Sequence, residues 1–443
     1  MRIITNKKQL SLQEVTTLIQ SHLQDRNRKL KLKRYYEGKH DILNKVGRKN
    51  NAANNRLVSN FCAYITNMSA GYFLGTPISY KTVRADEKEL AILLEIFKYN
   101  DESAHNLSLA EEASITGEAY EILYTDSDAY IRFKPVPSEE VILVCDSTLE
   151  ENVICAIRHF RVYGLDLSTY DEFVDVYDAE KISHYKYDGA LKLLDTQAHF
   201  FGDVPVVEYP NNHQRRGDFE DVLTLVDAYN LAQSLTLDDM ADFTDAFLIL
   251  KGYGGMKPED AAEMRQSKII KLDGDDAAAE WLIKNINDTY IENFKTRVQR
   301  DIHKFAQIPD MSDENFASNT SGVAIKYKLI GLEQIRSRKE REFKKGLQRR
   351  IELISGILKL KNQAQIDFRD IDIQFTANVP ANIVEQAQVV SQLEGVVTQK
   401  TLLSLLPFVA DPLEEMAELE KQRSEEFGRY DEYPNLEKHN HGE

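Results

Sequence analysis

The chain has 443 residues, 55 Lys and Arg against 72 Asp and Glu, and a formal net charge of −17. A 42% hydrophobic content is enough to bury real cores and excludes a disordered chain. The negative charge excludes a general nucleic-acid coat, whose affinity comes from Lys and Arg neutralising phosphates. Three cysteines, Cys62, Cys145 and Cys155, imply no disulfide framework and point to a reducing compartment. At roughly 150 residues per domain, the length suggests about three domains.

The opening MRIITNKKQL lacks the apolar stretch of a secretory signal. A helix is expected near Ser11–Arg28, followed by a basic, Asn-rich segment. Between Asp25 and Arg56 there are eleven Lys and Arg against three acids. Two readings apply: an arm docking on an acidic neighbour, or DNA contact. The first is favoured, because no aromatic stacking pattern accompanies the charge. Residues 57–80 carry no charge, yet Val58, Phe61, Ile65, Met68 and Tyr72 step by 3, 4, 3 and 4. That is the period of a core helix with one buried face rather than a membrane span.

A strand is expected over 72–83 and a helical stretch over 86–115. A β-rich block follows: 119–124, 129–134, 141–145, 153–162, 172–178, 182–187, 191–194 and 206–209, with Asp126-Ser127-Asp128 and Asp188-Gly189 as turns. From Asp218, read as an N-cap, a helix runs to about Ala246 with eight acids and no Lys or Arg. A small α/β insert comes next, with strands at 247–251, 268–272 and 281–284 and a short helix opened by Pro258. A second helix is expected from Thr289, in a capping box with Glu292, to Gln307, where Pro309 stops it. Residues 310–322 read as a polar loop, 323–360 as one long, kinked helix, 371–376 as a strand, and 382–418 as two or three helices. The tail from Asp411 holds eleven acids and four basic residues.

Enzyme signatures are missing. There is no G-x-x-x-x-G-K-[ST], G-x-S-x-G, H-E-x-x-H or C-x-x-C. His439 and His441 lie in a terminal acidic segment that offers no second shell, and His303, alone on its helix, reads as a surface or packing residue. On the acidic helix, Asp238 and Asp242 sit one turn apart near Asp245, which leaves open a divalent-metal nuclease as the alternative to a solvated or channel-facing surface. The long helix has ten Lys and Arg against three Glu between Lys326 and Arg350. A salt-bridged helix is favoured over phosphate contact, since acidic partners exist in the same chain.

Four segments stand in a telling order: RYYEGK at 34–39, NRLVSNF at 55–61, GYFLGTP at 71–77, and IPDMSDENF at 308–316 continuing to SGVAIKYK at 321–328. Together they resemble the siphophage-type portal proteins of tailed bacteriophages. The resemblance implies an α+β portal fold: N-terminal arm 1–56, α+β wing 57–217, stem helix 218–246, α/β clip 247–286, stem helix 287–308, channel loop 309–322, long wing helix and strand 323–379, and a short helical crown with acidic tail 380–443.

It further implies a non-enzymatic dodecameric ring at one capsid vertex of the virion, assembled in the host bacterial cytoplasm, with no cofactor, metal or membrane. Double-stranded DNA would be packaged through the ring by terminase and later ejected. Its partners would be the terminase large subunit, a head-completion or adaptor protein, and the major capsid and scaffold proteins. Another phage head or adaptor ring is the alternative within the same class.

Mapped onto this chain, the channel loop would contribute Asp310, Met311, Ser312, Asp313, Glu314, Asn315, Phe316 and Asn319. The channel-lining acids would be Asp238, Asp242 and Asp245. DNA- or subunit-contacting basics would be Lys326, Lys328, Arg336, Arg338 and Lys339. Docking on the clip would use Lys251, Tyr253, Lys257, Lys268 and Trp281.

Overall fold

The computed structural model describes residues 1–47, 53–83, 87–242, 247–251, 259, 278–282, 288–311, 327–378, 383–406, 409 and 412–430. Two compact units emerge, Met1–Thr320 with Ala324–Asn378, and Val379–Glu443 with Ser321–Val323.

The first unit opens with β1 (Arg2–Thr5) and α1 (Leu12–Tyr36). Ser11 and Glu14 form a reciprocal capping box that satisfies two free N–H groups at the start of α1. Then come α2 (Phe61–Leu74), β2 (Ser79–Thr82), α3 (Glu87–Tyr99) and α4 (Glu102–Thr116). Eight strands follow: β3 (Glu118–Thr125), β4 (Ile131–Val136), β5 (Val141–Asp146), β6 (Val153–Tyr163), β7 (Tyr170–Tyr177), β8 (Lys181–Tyr187), β9 (Leu191–Ala198) and β10 (Val206–Pro210). After them come α5 (Leu223–Asp242), β11 (Phe247–Lys251), β12 (Ala278–Leu282), α6 (Asp288–Ala306), α7 (Ile330–Leu360) and β13 (Ile371–Gln374).

A six-stranded sheet has the order β1-β5-β6-β7-β8-β9, and a three-stranded one the order β10-β3-β4. β1 runs parallel to β5, with Arg2 opposite Leu143 and Thr5 opposite Asp146. Such a four-residue strand carries little periodic signal. Its partner lies far along the chain, so the sequence reads it as an arm.

α7 is the axis of the largest core. Phe343, Leu347, Ile351, Ile354 and Leu358 step by 4, 4, 3 and 4 and pack with Phe73, Leu93, Leu109, Leu123, Phe133 and Tyr209. Gly346 lets β10 approach: a Cβ there would lie 2.4 Å from the Tyr209 ring. A second core joins Leu32 and Tyr35 of α1, Ile65 of α2, Val226 of α5, Ile302 of α6 and Leu332 of α7. α2 is therefore wedged between two cores, with Phe73 and Leu74 in the first and Cys62 and Ile65 in the second. This corrects the single buried face read from its periodicity. Two smaller clusters cover the sheets, one of them seating Val15 and Ile19 of α1 on β5, β6 and β7.

Several boundaries move for physical reasons. α1 continues eight residues beyond Arg28, because Lys29 and Leu32 are buried rather than solvated. The 86–115 stretch breaks at Asp101, whose φ of 48° cannot continue a helix. Asp218 is not a cap; its carboxylate is 7% exposed and pairs with Lys339, and a short 3₁₀ turn at Glu220–Val222 precedes α5. α6 starts at Asp288, so Thr289 lies inside it rather than capping it. The strands expected at 268–272 and the Pro258 helix lie outside the described residues.

The second unit contains α8 (Ile383–Leu393), α9 (Gln399–Ser404) and α10 (Pro412–Tyr430), and Thr398 caps α9 by accepting from the Thr401 N–H. All three cysteines are free and buried.

Charged groups are sealed inside the first unit. Arg350 is fully buried; its Nε donates to Glu121 Oε1 at 2.9 Å, Nη2 to Glu121 Oε2 at 2.7 Å, and Nη1 to Asn106 Oδ1 at 2.9 Å. Glu121 also accepts from Tyr209 at 2.7 Å and pairs with His105 at 2.7 Å. Burial opposes ionisation of Glu121, but the Arg350 charge and these hydrogen bonds prevail and hold its pKa at about 2. A carboxylate depressed in this way stabilises the fold above its ordinary value of 4.5 and loses that contribution as pH falls towards about 2. Arg350→Met should cost about 3–5 kcal/mol in urea unfolding, since it strands a buried carboxylate. It should also move the acid-unfolding midpoint to higher pH.

Candidate functional site

The candidate site is the α5–α6 pair with the chain that leaves it. The two helices pack on each other, and β11 and β12, in the segment between them, pair antiparallel with Phe247 opposite Leu282 and Lys251 opposite Ala278. The α6 C-terminus is followed by Gln307, in the left-handed region at φ 58°, and then by Ile308–Met311.

Asp227 and Asp238 of α5 are committed to other parts of the first unit. Asp238 is 1% exposed, pairs with Lys45 Nζ, and accepts from the Asn55 backbone N–H at 2.6 Å and side-chain amide at 3.0 Å. Although burial opposes it, the Lys45 and Asn55 hydrogen bonds lower its pKa. Asp227 accepts from the Tyr35 hydroxyl at 2.9 Å. Glu220, just before α5, receives Arg28 at 2.9 Å. Asn230 and Ser234 accept from the backbone of Ser59 and Leu57. The side of α5 read as a lining is in large part the seat of residues 28–59. That corrects the expectation for Asp238, whose oxygens are already bonded within the chain. Asp242 ends the helix, its side chain outside the described set, and Asp245 lies outside it altogether.

Basic residues of the N-terminal segment are likewise used internally. Lys29 is buried against Glu118 and Asp25, and Lys33 bridges Glu112 at 2.8 Å and Glu139 at 2.6 Å. On α7, Lys339 is 4% exposed, with Asp218 at 2.7 Å and Asn211 as further partner. Burial lowers its pKa while Asp218 opposes the shift. Lys339 is thereby corrected from a contact candidate to an internal tie. Arg336 is held by Glu333 at 2.6 Å and Glu340 at 2.8 Å. Arg338 is exposed and donates to Gln307 Oε1 at 2.8 Å. Lys328 is half-buried, and Lys326 lies outside the described residues.

Of the expected channel loop, Asp310 and Met311 are described; Ser312, Asp313, Glu314, Asn315, Phe316 and Asn319 are not. Lys251 and Trp281 sit on the β11–β12 ladder, with Trp281 opposite Leu248. Tyr253, Lys257, Lys268, His439 and His441 fall outside the description. Among the described residues, no group of three or more His, Cys, Asp or Glu is placed to hold a metal ion, and no helix is long and apolar enough to cross a membrane.

Sequence reasoning missed Tyr64 and Gln299, which meet the loop root. The Tyr64 hydroxyl donates to Pro309 O at 2.8 Å and accepts from Met311 N at 3.1 Å, and Gln299 donates to Asp310 at 3.1 Å. His303 does pack, edge-on to Phe61 and Tyr64.

Comparison with known proteins covers most of the chain. Residues 16–428 fit the family described as "Phage portal protein, SPP1 Gp6-like". The portal protein of Bacillus phage SPP1 is 24% identical over 445 residues, covering 93% of this chain and 87% of the relative. The portal protein of Clostridium phage phiCD119 is 24% identical over 458 residues, covering 96% and 100%. A chain from a solved structure, "Neck of native GTA particle computed with C12 symmetry", shares 13% identity at a TM-score of 0.46, covering 78% of this chain and 89% of its own. The class is that of the portal components of bacteriophage virions. The chain belongs to the SPP1 Gp6-like phage portal protein family.

Asp238→Ala should lower stability by about 1–3 kcal/mol in denaturant titration, because Lys45 and the Asn55 N–H lose a buried acceptor. EDTA should leave wild type and variant equally unaffected.

Proposed function

We propose that the protein forms a ring, twelve-fold as in the resembling family, at one vertex of the capsid. Double-stranded DNA is packaged through its channel by terminase and later leaves by the same route. The observation that carries this reading is the family match over 16–428, which runs from within α1 to within α10 rather than over a single motif. The stem is the α5–α6 pair, the clip is the segment holding β11 and β12, and the channel loop is 309–322.

The charge arrangement supports the proposal. A conduit has to pass a polymer with one charge per roughly 1.7 Å of axis, and a basic lining would act as a brake through many phosphate contacts. The loop sequence carries Asp310, Asp313 and Glu314 and no basic residue. In a ring each acid becomes a circle of like charges, so the loop meets DNA by steric and weak polar contact. The basic α7 and N-terminal segments, whose charges are largely spent on internal pairs, add little to DNA holding.

Assembly takes place in the host cytoplasm. The clip docks the terminase large subunit and later a head-completion protein, while the wing meets major capsid and scaffold proteins.

Mass photometry with negative-stain imaging of the full chain tests the ring: a species near twelve times 50.8 kDa with ring-shaped views is expected. Binding of terminase separates a portal from another head or adaptor ring. Magnesium-dependent DNA cleavage by the purified protein would overturn the reading. Replacing Asp313 and Glu314 by Lys should slow packaging several-fold, measured as DNA translocated per unit time; an unchanged velocity would count against the loop's part in the proposal.

A further inference from the structure

The chain that leaves α6 does not hang from the helix by its backbone alone. Gln307 turns left-handed at φ 58°, which ends the helix. The next residues are then gripped one at a time. His303 Nδ1 lies 3.2 Å from Ile308 O. The Tyr64 hydroxyl is bonded on both sides, donating to Pro309 O at 2.8 Å and accepting from Met311 N at 3.1 Å. Asp310 receives Gln299 Nε2 at 3.1 Å and lies 3.7 Å from His303 Nε2.

Two of these grips come from α6 itself, but Tyr64 belongs to α2, 245 residues from Pro309. Burial raises the Tyr64 phenol above its ordinary pKa, so it keeps the proton it donates. Its ring is fixed edge-to-face against His303 at 5.6 Å, and His303 is in turn packed on Phe61 at 5.9 Å.

The first turns of α7 meet the same segment. Arg338 of α7 donates to the Gln307 side-chain carbonyl at 2.8 Å. Gly331 approaches so closely that a Cβ would sit 2.9 Å from Gln307 O. The end of α6 and the first turns of α7 are thus tied to one another through Gln307.

We infer that Tyr64 is a positioning residue: with His303 it latches the Pro309–Met311 segment to helix α2, so that the wing, rather than the stem alone, sets where the channel loop begins. The inference rests on the proposed channel role for the meaning of that position, but not for the latch itself. A hydroxyl that bonds two backbone groups two residues apart fixes both the location and the direction of the emerging chain. A packing contact would fix only its distance.

Tyr64→Phe removes the two bonds and keeps the ring. The substitution only deletes an oxygen, so it introduces no clash, and a cavity of about 300 Å³ bordered by Phe61, Tyr64, His303 and Asp310 adjoins the site. Hydrogen exchange of the full-length protein, read by mass spectrometry with fragmentation to the Met311 amide, tests the latch. Exchange at Met311 should quicken about tenfold in Tyr64→Phe, the loss of one net hydrogen bond, while amides of α6 from Val298 to Ile302 stay as in wild type. Phe61→Leu, which loosens the aromatic packing but leaves the hydroxyl, should give a smaller effect at Met311.

Equal Met311 exchange in wild type and Tyr64→Phe overturns the latch whatever the protein does with DNA. Faster exchange across all of α6 also overturns it, because the hydroxyl would then be a general stabiliser. Packaging by particles carrying Tyr64→Phe distinguishes the second reading. Faster Met311 exchange with altered DNA translocation supports both. Faster exchange with unaltered translocation upholds the latch and counts against the loop as the DNA-contacting element.

Discussion

The pairing of Arg350 with Glu121 holds the first unit together. It joins the middle of α7 to the centre of β3, with His105, Asn106 and Tyr209 closing the remaining hydrogen-bond positions. A charge pair without water is tolerable only where its partners are complete, so this arrangement admits one register of α7. A slip by one turn would leave a guanidinium in the aliphatic core around Leu347 and Ile351. The same helix carries Lys339 to Asp218 and Arg338 to Gln307, so fixing its register also fixes the start of α5 and the end of α6.

Internal neutralisation shapes the chain's outer character. Residues 25–56 and the α7 segment are strongly basic as sequence, yet many of their charges end against carboxylates that are distant in the chain: Arg28 on Glu220, Lys29 on Glu118, Lys45 on Asp238, Lys339 on Asp218. Local net charge is therefore a poor guide to what a partner would meet. A protein of net charge −17 that also pairs many of its cations internally has little with which to hold a polyanion.

Much of this was legible in the sequence where the signal is local. The strands from β3 to β8 announced themselves by alternation and turn residues, and α6 by Ile291, Val298 and Ile302 on one face. The long helix was legible too, although its regular part begins only at Ile330, after the turn at Leu329. What could not be read was everything fixed by distant pairing. β1 exists because β5 is there to receive it. Asp218 looks like a cap and is a buried counter-ion because Lys339 arrives from 121 positions later. Asp238 has the spacing of a metal ligand, but Lys45 and Asn55 occupy it. For the site, the α5–α6 pair was visible as two helical stretches. Tyr64 was not, because a tyrosine on an apolar helix carries no mark of the backbone it will meet.

The three buried thiols carry a practical consequence for chemistry done on this protein. Burial pushes the Cys62 and Cys155 thiols up to about 12 and raises Cys145 as well. The reactive form of a cysteine is its thiolate, so at neutral pH the native sulfurs are both inaccessible and almost wholly protonated. The wild-type chain is therefore close to silent towards maleimides and other thiol reagents while it stays folded. A single cysteine placed anywhere on its surface becomes a selective attachment point for a fluorophore or crosslinker, with no need to strip out the native three and disturb the cores they fill.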